Sequence, residues 1–135
     1  MCVFCKIVSG DIPCSKVYED DSVLCFLDIN PVEKGHTLVV PKRHSATLMD
    51  APPDDLPKVI LAVQKIANAL MACGADGVNV CQNNNTAAGQ LVPHLHFHVI
   101  PRKTQDAPRK WASGSASYLS AEERDDTAAK IRENV

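Results

Sequence analysis

The spacing of apolar positions changes several times along the chain, and each change marks an element. In "KVYEDDSVLCFLDINP", residues 16–19 and 22–28 are rich in β-branched and apolar residues. Asp20-Asp21 reads as the turn between them, and Asn30-Pro31 as the stop. A third strand is expected over 37–40 in "KGHTLVVPKRH", ended by Pro41. The period then lengthens. In "PPDDLPKVILAVQKIANALMACG", Val59, Ile60, Val63, Ile66, Ala67, Leu70 and Met71 recur at helical spacing. Prolines and aspartates open that segment and Gly74 closes it, as helix ends require. "GVNVCQN" reads as a strand, "NNTAAGQ" as a polar loop and "LVPHLHFHVIPR" as the next strand. A loop-like tail follows, with the one tryptophan, Trp111, as a candidate anchor on the body or on a partner subunit. Ser120 with Glu123 matches the capping box that opens a last short helix. The expected fold is α+β: about five antiparallel strands, one long helix across one face, and a short C-terminal helix.

"PHLHFHVIPR" places three of the five histidines at alternate positions. Strand side chains alternate faces, so His94, His96 and His98 share one, with neighbours roughly 6.6 Å apart for a ~3.3 Å rise. Leu95, Phe97, Val99 and Ile100 are expected to bury against the long helix on the other side. Three readings fit the imidazole face. It is a solvated sheet surface, a metal site, or a nucleophile with helpers. A single ion bound by all three is disfavoured, because the outer pair are about 13 Å apart on a straight strand.

Composition narrows the class without choosing the chemistry. The 135 residues suit one domain able to bury a core without disulfides. Hydrophobic residues make up 45% and charged residues 22%, with a net charge of -2, so no electrostatic signature of a nucleic-acid polymer binder is present. No apolar run approaches a membrane span, and the N-terminus lacks a signal-peptide pattern. A cytoplasmic location and reduced thiols are the expectation for the six cysteines.

"HLHFHVI" matches the pattern His-φ-His-φ-His-φ-φ, where φ is apolar, and the match extends to both sides. "FCKIVSGDIPCSKVYEDDSVLCFLDINPVEKGHTLVVPKRH" and "NNNTAAGQLVPHLHFHVIPR" resemble the two halves of the Hint branch of the histidine triad family, over residues 2–102. The resemblance implies a triad domain over 1–104, with 105–135 an extension packed on that domain or on a dimer partner. It implies cleavage of purine nucleoside phosphoramidates or related adenylated compounds. By the same resemblance His96 is the nucleophile and forms a nucleotidyl-histidine intermediate, with His98 at the phosphate or leaving group. Gly89, Gln90 and Asn83 are expected beside the phosphate, and Asp28 at the ribose hydroxyls. Val3, Phe4, Ile7, Phe26 and Ile29 correspond to the apolar walls around the base, although on residue type alone a core position is favoured for each. A hydroxyl residue commonly follows Gly-Gln in the family, whereas this chain has Leu91, so slower turnover of simple phosphoramidates is expected. A homodimer paired through the long helix and the sheet edge is implied as well.

"CVFC" is a Cys-x-x-Cys pair at the very start of the chain. By spacing alone it is a redox pair or a coincidence. The resemblance implies a structural zinc ion held by Cys2, Cys5, His44 and His94, a set with the two thiolates and two imidazoles of a closed tetrahedral site. His36 has no assigned chemistry and reads as structural or superficial. Three other functions remain open at this point: a dinucleoside polyphosphate hydrolase, a non-catalytic nucleotide-binding scaffold, and a redox or metal-handling protein. The last leaves His96 and His98 unexplained.

Overall fold

The structure is a computed structural model that describes residues 2–106 and 113–135; Trp111 lies outside them. Five strands form one sheet in the order β1-β2-β3-β5-β4, and every neighbouring pair is antiparallel. The strands are β1 (Lys16–Glu19), β2 (Val23–Leu27), β3 (Thr37–Pro41), β4 (Gly77–Cys81) and β5 (Phe97–Arg102). Helix α1 (Val3–Ser9) precedes the sheet, α2 (Leu56–Ala72) links β3 to β4, and α3 (Ala121–Arg132) closes the chain. The expected α+β architecture is the one found.

The two sheet faces bury different residues. On one, Cys25, Leu27, Val39 and Val99 meet Val59, Ala62, Val63, Ile66, Ala69 and Leu70 of α2, and α3 adds Ala128 and Ile131. On the other, Leu24, Phe26, Leu38 and Val40 pack with Phe4 of α1. The buried stripe of α2 differs from the expected one at its margins. Ile60 and Met71 are about half exposed, at 51% and 46%, while the small Ala62 and Ala69 lie against the sheet. Close approach of helix to sheet favours alanine there, and hydrophobicity ranking alone overlooks it. Bidentate contact of Arg43 with Asp55, at 2.9 and 2.8 Å, ties the chain leaving β3 to the start of α2.

Three expectations need correction. First, 3–9 is a helix with no counterpart in the sequence reading. It is too short for a clear period, and Cys2 caps it, with Sγ accepting the Cys5 N–H at 3.3 Å. Secondly, the last strand starts at Phe97 rather than near Leu91. Partner β4 ends at Cys81, which pairs with His98, and β3 pairs only as far as Phe97. Leu95 N–H goes instead to the Ser45 carbonyl at 2.8 Å, and His94 lies in a bend with its N–H on the Val92 carbonyl at 2.8 Å, so His94 and His96 precede the strand. Thirdly, Ile100 lies two residues beyond His98 and shares its face, as strand alternation demands; it lines the same cavity as His98.

Ile66, with no exposed surface, sits in the middle of the α2–sheet core. Replacing it with alanine is expected to cost about 2–5 kcal/mol, from lost burial and the cavity left behind. Urea denaturation measures this, and a loss under 1 kcal/mol would show that the site collapses around the smaller side chain.

Candidate functional site

The site begins with main-chain geometry. His96 Nδ1 lies 2.6 Å from the His94 carbonyl oxygen. A carbonyl only accepts, so Nδ1 carries the proton and Nε2 keeps its lone pair. The ring is buried, and burial pulls its pKa below the ordinary imidazole value; the His94 carbonyl and Asp28 act in the opposite sense. Phe4 packs edge-on against it, with centroids 5.1 Å apart, and the His98 ring stands 5.0 Å away.

His98 is held through His36. The Val32 N–H donates to His36 Nδ1 at 3.0 Å, which places the His36 proton on Nε2. That Nε2–H donates to His98 Nδ1 at 2.9 Å. His98 therefore carries its own proton on Nε2. Both rings are kept neutral. Burial, with His98 and His96 nearby, pushes His36 down to about 3, and burial with His96 nearby pushes His98 down to about 4. His36 is thus a buried relay residue, a role its isolated position in "KGH" did not signal.

A cavity of about 640 Å³ opens beside these rings. Its lining brings together His98, Asp28, Asn83, Gly89, Val3, Phe4, Ile7, Phe26 and Ile29 from the expected set. His96 is adjacent through Phe4 and His98 rather than part of the lining. Asp28 Oδ1 accepts the Asn30 N–H at 2.9 Å, and Oδ2 stands 3.7 Å from His36 Nε2. Burial raises its pKa, partly offset by the Asn30 N–H and His96. Gly89 has φ +90°, a conformation that favours glycine, at the bend where the loop meets the cavity. Gln90 is placed differently. Its amide donates to the Ala46 and Val92 carbonyls at 2.6 and 3.0 Å, and its oxygen accepts the Asn85 N–H at 2.7 Å. The side chain pins the loop and does not line the cavity. Leu91 is 84% exposed on the rim.

A second cluster gathers around the ring of His94. The ligand atoms of Cys2, Cys5, His44 and His94 all lie within 4.8 Å of one another. Sγ to Sγ is 3.3 Å, Nδ1 to Nδ1 is 3.1 Å, and the four mixed separations run from 3.3 to 3.7 Å. A tetrahedral zinc ion with ~2.3 Å bonds to sulfur and ~2.0 Å bonds to nitrogen has edges of roughly 3.8, 3.3 and 3.5 Å. Tautomer chemistry agrees with the distances. His94 Nε2 donates to the Pro41 carbonyl at 2.8 Å, so the lone pair is on Nδ1, facing the cysteines. Asp28, His36 and His98 also gather potential ligand atoms. There the tautomers oppose a metal, because His36 Nδ1 already accepts a main-chain N–H and its inward nitrogen bears the proton.

A model of the HIT domain matches residues 9–105. The chain belongs to the HIT family. An uncharacterized HIT-like protein of Methanocaldococcus jannaschii is 53% identical over 78% of this chain and 82% of its own length. The adenylylsulfatase HINT3 of Arabidopsis thaliana is 49% identical over 84% of this chain and 57% of its own. An adenosine 5′-monophosphoramidase of Schizosaccharomyces pombe is 44% identical, over 78% and 77%. Among HIT structures, a Zn-bound histidine triad family protein from Mycobacterium smegmatis superposes with a TM-score of 0.87 at 38% identity, covering 98% of this chain and 91% of that one. A Hit-like protein from Bartonella henselae gives 0.87 at 43%, covering 99% and 96%. The Hint-branch resemblance read from the sequence is therefore correct.

The neutral His36–His98 pair makes stability depend on pH. Each folded-state pKa lies below the unfolded value near 6.5. The unfolded chain then binds more protons, so stability is full above that value and falls as the pH drops below it. The expected loss approaches ~1.4 kcal/mol per pH unit for each group. Urea titrations at pH 7, 6 and 5 measure it; a flat profile would mean that the pair is not held neutral.

Proposed function

We propose that this HIT protein is a nucleotide hydrolase or transferase that cleaves purine nucleoside phosphoramidates or related adenylated compounds. The observation that carries the reading is the His96 ring, with Nδ1–H locked on a main-chain carbonyl and the Nε2 lone pair left over. Such a nitrogen is a nucleophile near neutral pH without a base to activate it. It attacks the α-phosphorus; a phosphorus–nitrogen bond forms as the bond to the leaving amine breaks, and the departing nitrogen takes up a proton from water. Water then attacks the nucleotidyl-histidine, which releases the nucleoside monophosphate and restores the ring. His98 Nε2–H donates to a phosphate oxygen, and its tautomer is set by His36. Asn83 and the Gly89 turn border the phosphate, and Gln90 holds that turn in shape. Asp28 accepts the ribose hydroxyls, while Phe4, Ile7, Phe26, Ile29 and Val3 sandwich the base. Relatives named adenosine 5′-monophosphoramidase and adenylylsulfatase support this substrate class.

Zinc fits the donor chemistry of the Cys2, Cys5, His44 and His94 cluster, and every separation but the short Sγ–Sγ one lies within about 0.2 Å of a tetrahedral edge. Its chemistry there is structural: four protein ligands close the coordination sphere. The residues so joined hold α1 to the sheet and fix the His94 carbonyl that His96 needs. A second copy of the chain is the proposed partner, since Ile60 and Leu61 on α2 and Val80 on the edge strand β4 are exposed and apolar.

Turnover of a fluorogenic adenosine phosphoramidate, compared with that of a diadenosine polyphosphate, tests the activity. His96→Ala should abolish phosphoramidate hydrolysis while AMP still binds; binding without turnover in the wild type would favour a scaffold instead. Leu91→Ser is expected to raise the phosphoramidate rate by roughly two- to tenfold, the worth of one hydrogen bond, and an unchanged rate rejects a role for that position. Metal analysis should find about one zinc per chain, lost in Cys5→Ala. A wild-type content well below one speaks against the site.

A further inference from the structure

One guanidinium in the lining of the cavity has no part in the reaction just described. Arg124 is the only lysine or arginine among the described residues that line it. It comes from the first turns of α3, and a buried hydroxyl aims it. Ser15 Oγ donates to Asp125 Oδ1 at 2.6 Å and accepts the Arg124 Nε–H at 2.9 Å. Ser15 itself is 4% exposed. The two Nη groups of a fork fixed in this way remain as donors.

Position separates Arg124 from the reacting phosphorus. Its anchor, Ser15, directly precedes β1, and three strand spacings separate β1 from the β5 strand that bears His98. At ~4.8 Å per spacing this is about 14 Å. Ile12, Pro13 and Arg124 line the same cavity as Phe4, Ile7, Phe26 and Ile29, the walls proposed above for the base. A phosphate on the ribose is the other acceptor a guanidinium would take, but it would stand against the Asp28 carboxylate. The base edge is the better match. Guanine offers two adjacent acceptors, O6 and N7, to a guanidinium fork, whereas adenine offers N7 beside an amino donor. Within apolar walls a donor that faces another donor is left unpaired, which is costly.

We propose that Arg124, set by Ser15 and Asp125, is a specificity-determining residue that selects 6-oxopurine over 6-aminopurine nucleotides. This rests on reading the cavity as a mononucleotide pocket. Calorimetric binding of GMP, AMP and adenosine 3′,5′-bisphosphate to the full chain as purified tests it, with Arg124→Leu, Arg124→Lys and Ser15→Ala alongside. GMP should bind wild type at least about fivefold more tightly than AMP, and Arg124→Leu should bring the ratio to within about twofold of one. Lysine lacks the fork and should restore only part of the preference. Ser15→Ala should lower the ratio although the arginine is intact, an effect that a merely structural Arg124 would not produce. A wild-type ratio near one, or a preference that Arg124→Leu leaves intact, overturns the proposal. So does a bisphosphate advantage that disappears in Arg124→Leu, which would assign the guanidinium to a ribose phosphate. If both mononucleotides bind and the ratio does not move, only the base assignment fails. If neither binds to folded wild-type protein, the pocket reading fails with it.

Discussion

A single hydrogen bond, from the His96 ring to the carbonyl of His94, joins the two halves of the site. It decides which nitrogen of His96 bears the proton and leaves the other as a lone pair. The same residue that supplies the carbonyl presents its own ring to Cys2, Cys5 and His44, with its tautomer fixed by Pro41. One residue therefore faces the cysteine–histidine cluster with its side chain and the His96 ring with its backbone. Whatever holds His94 in place also holds the orientation of the His96 ring.

The same logic extends through His36 to His98. Each proton position follows from a main-chain group at one end of the chain of bonds, the Val32 N–H for one pair and the His94 carbonyl for the other. Backbone groups are rigid and have one hydrogen-bonding sense, so they fix imidazole tautomers more firmly than solvent can. Burial keeps the rings neutral, and neutral rings are needed both for a lone pair on His96 and for a directed N–H on His98. Desolvation and preorganisation come from one packing arrangement, in which Phe4 stacks edge-on to His96 and α1 covers the face.

The cavity lining combines polar Asn83 and the glycine-bent turn at Gly89 with apolar Phe4, Ile7, Phe26 and Ile29, and it includes Arg124 from a helix remote in sequence. Gln90 shows how a residue singled out for a binding loop can serve as its internal brace, because all its polar atoms meet main-chain partners. Leu91 lines the cavity from an exposed position on its rim.

Local pattern was enough for the strands at 16–19 and 37–40, the long helix and the Ser120 cap, because each follows from side-chain period or from a cap with its own chemistry. The family signature added the cysteine–histidine set, whose members are far apart in the chain and carry no local sign of meeting. Tertiary structure decided the rest. Helix α1 exists because Phe4 has a second core to join, and two turns with no strong period leave no trace in the sequence. His36 became a relay because β3 and β5 pair in one register, Leu38 opposite His98, which brings its ring to His98. Tautomers and Arg124 belong to the same class. They depend on which backbone group or distant helix lies across the sheet, and long-range adjacency of that kind is set by packing rather than by any spacing along the chain.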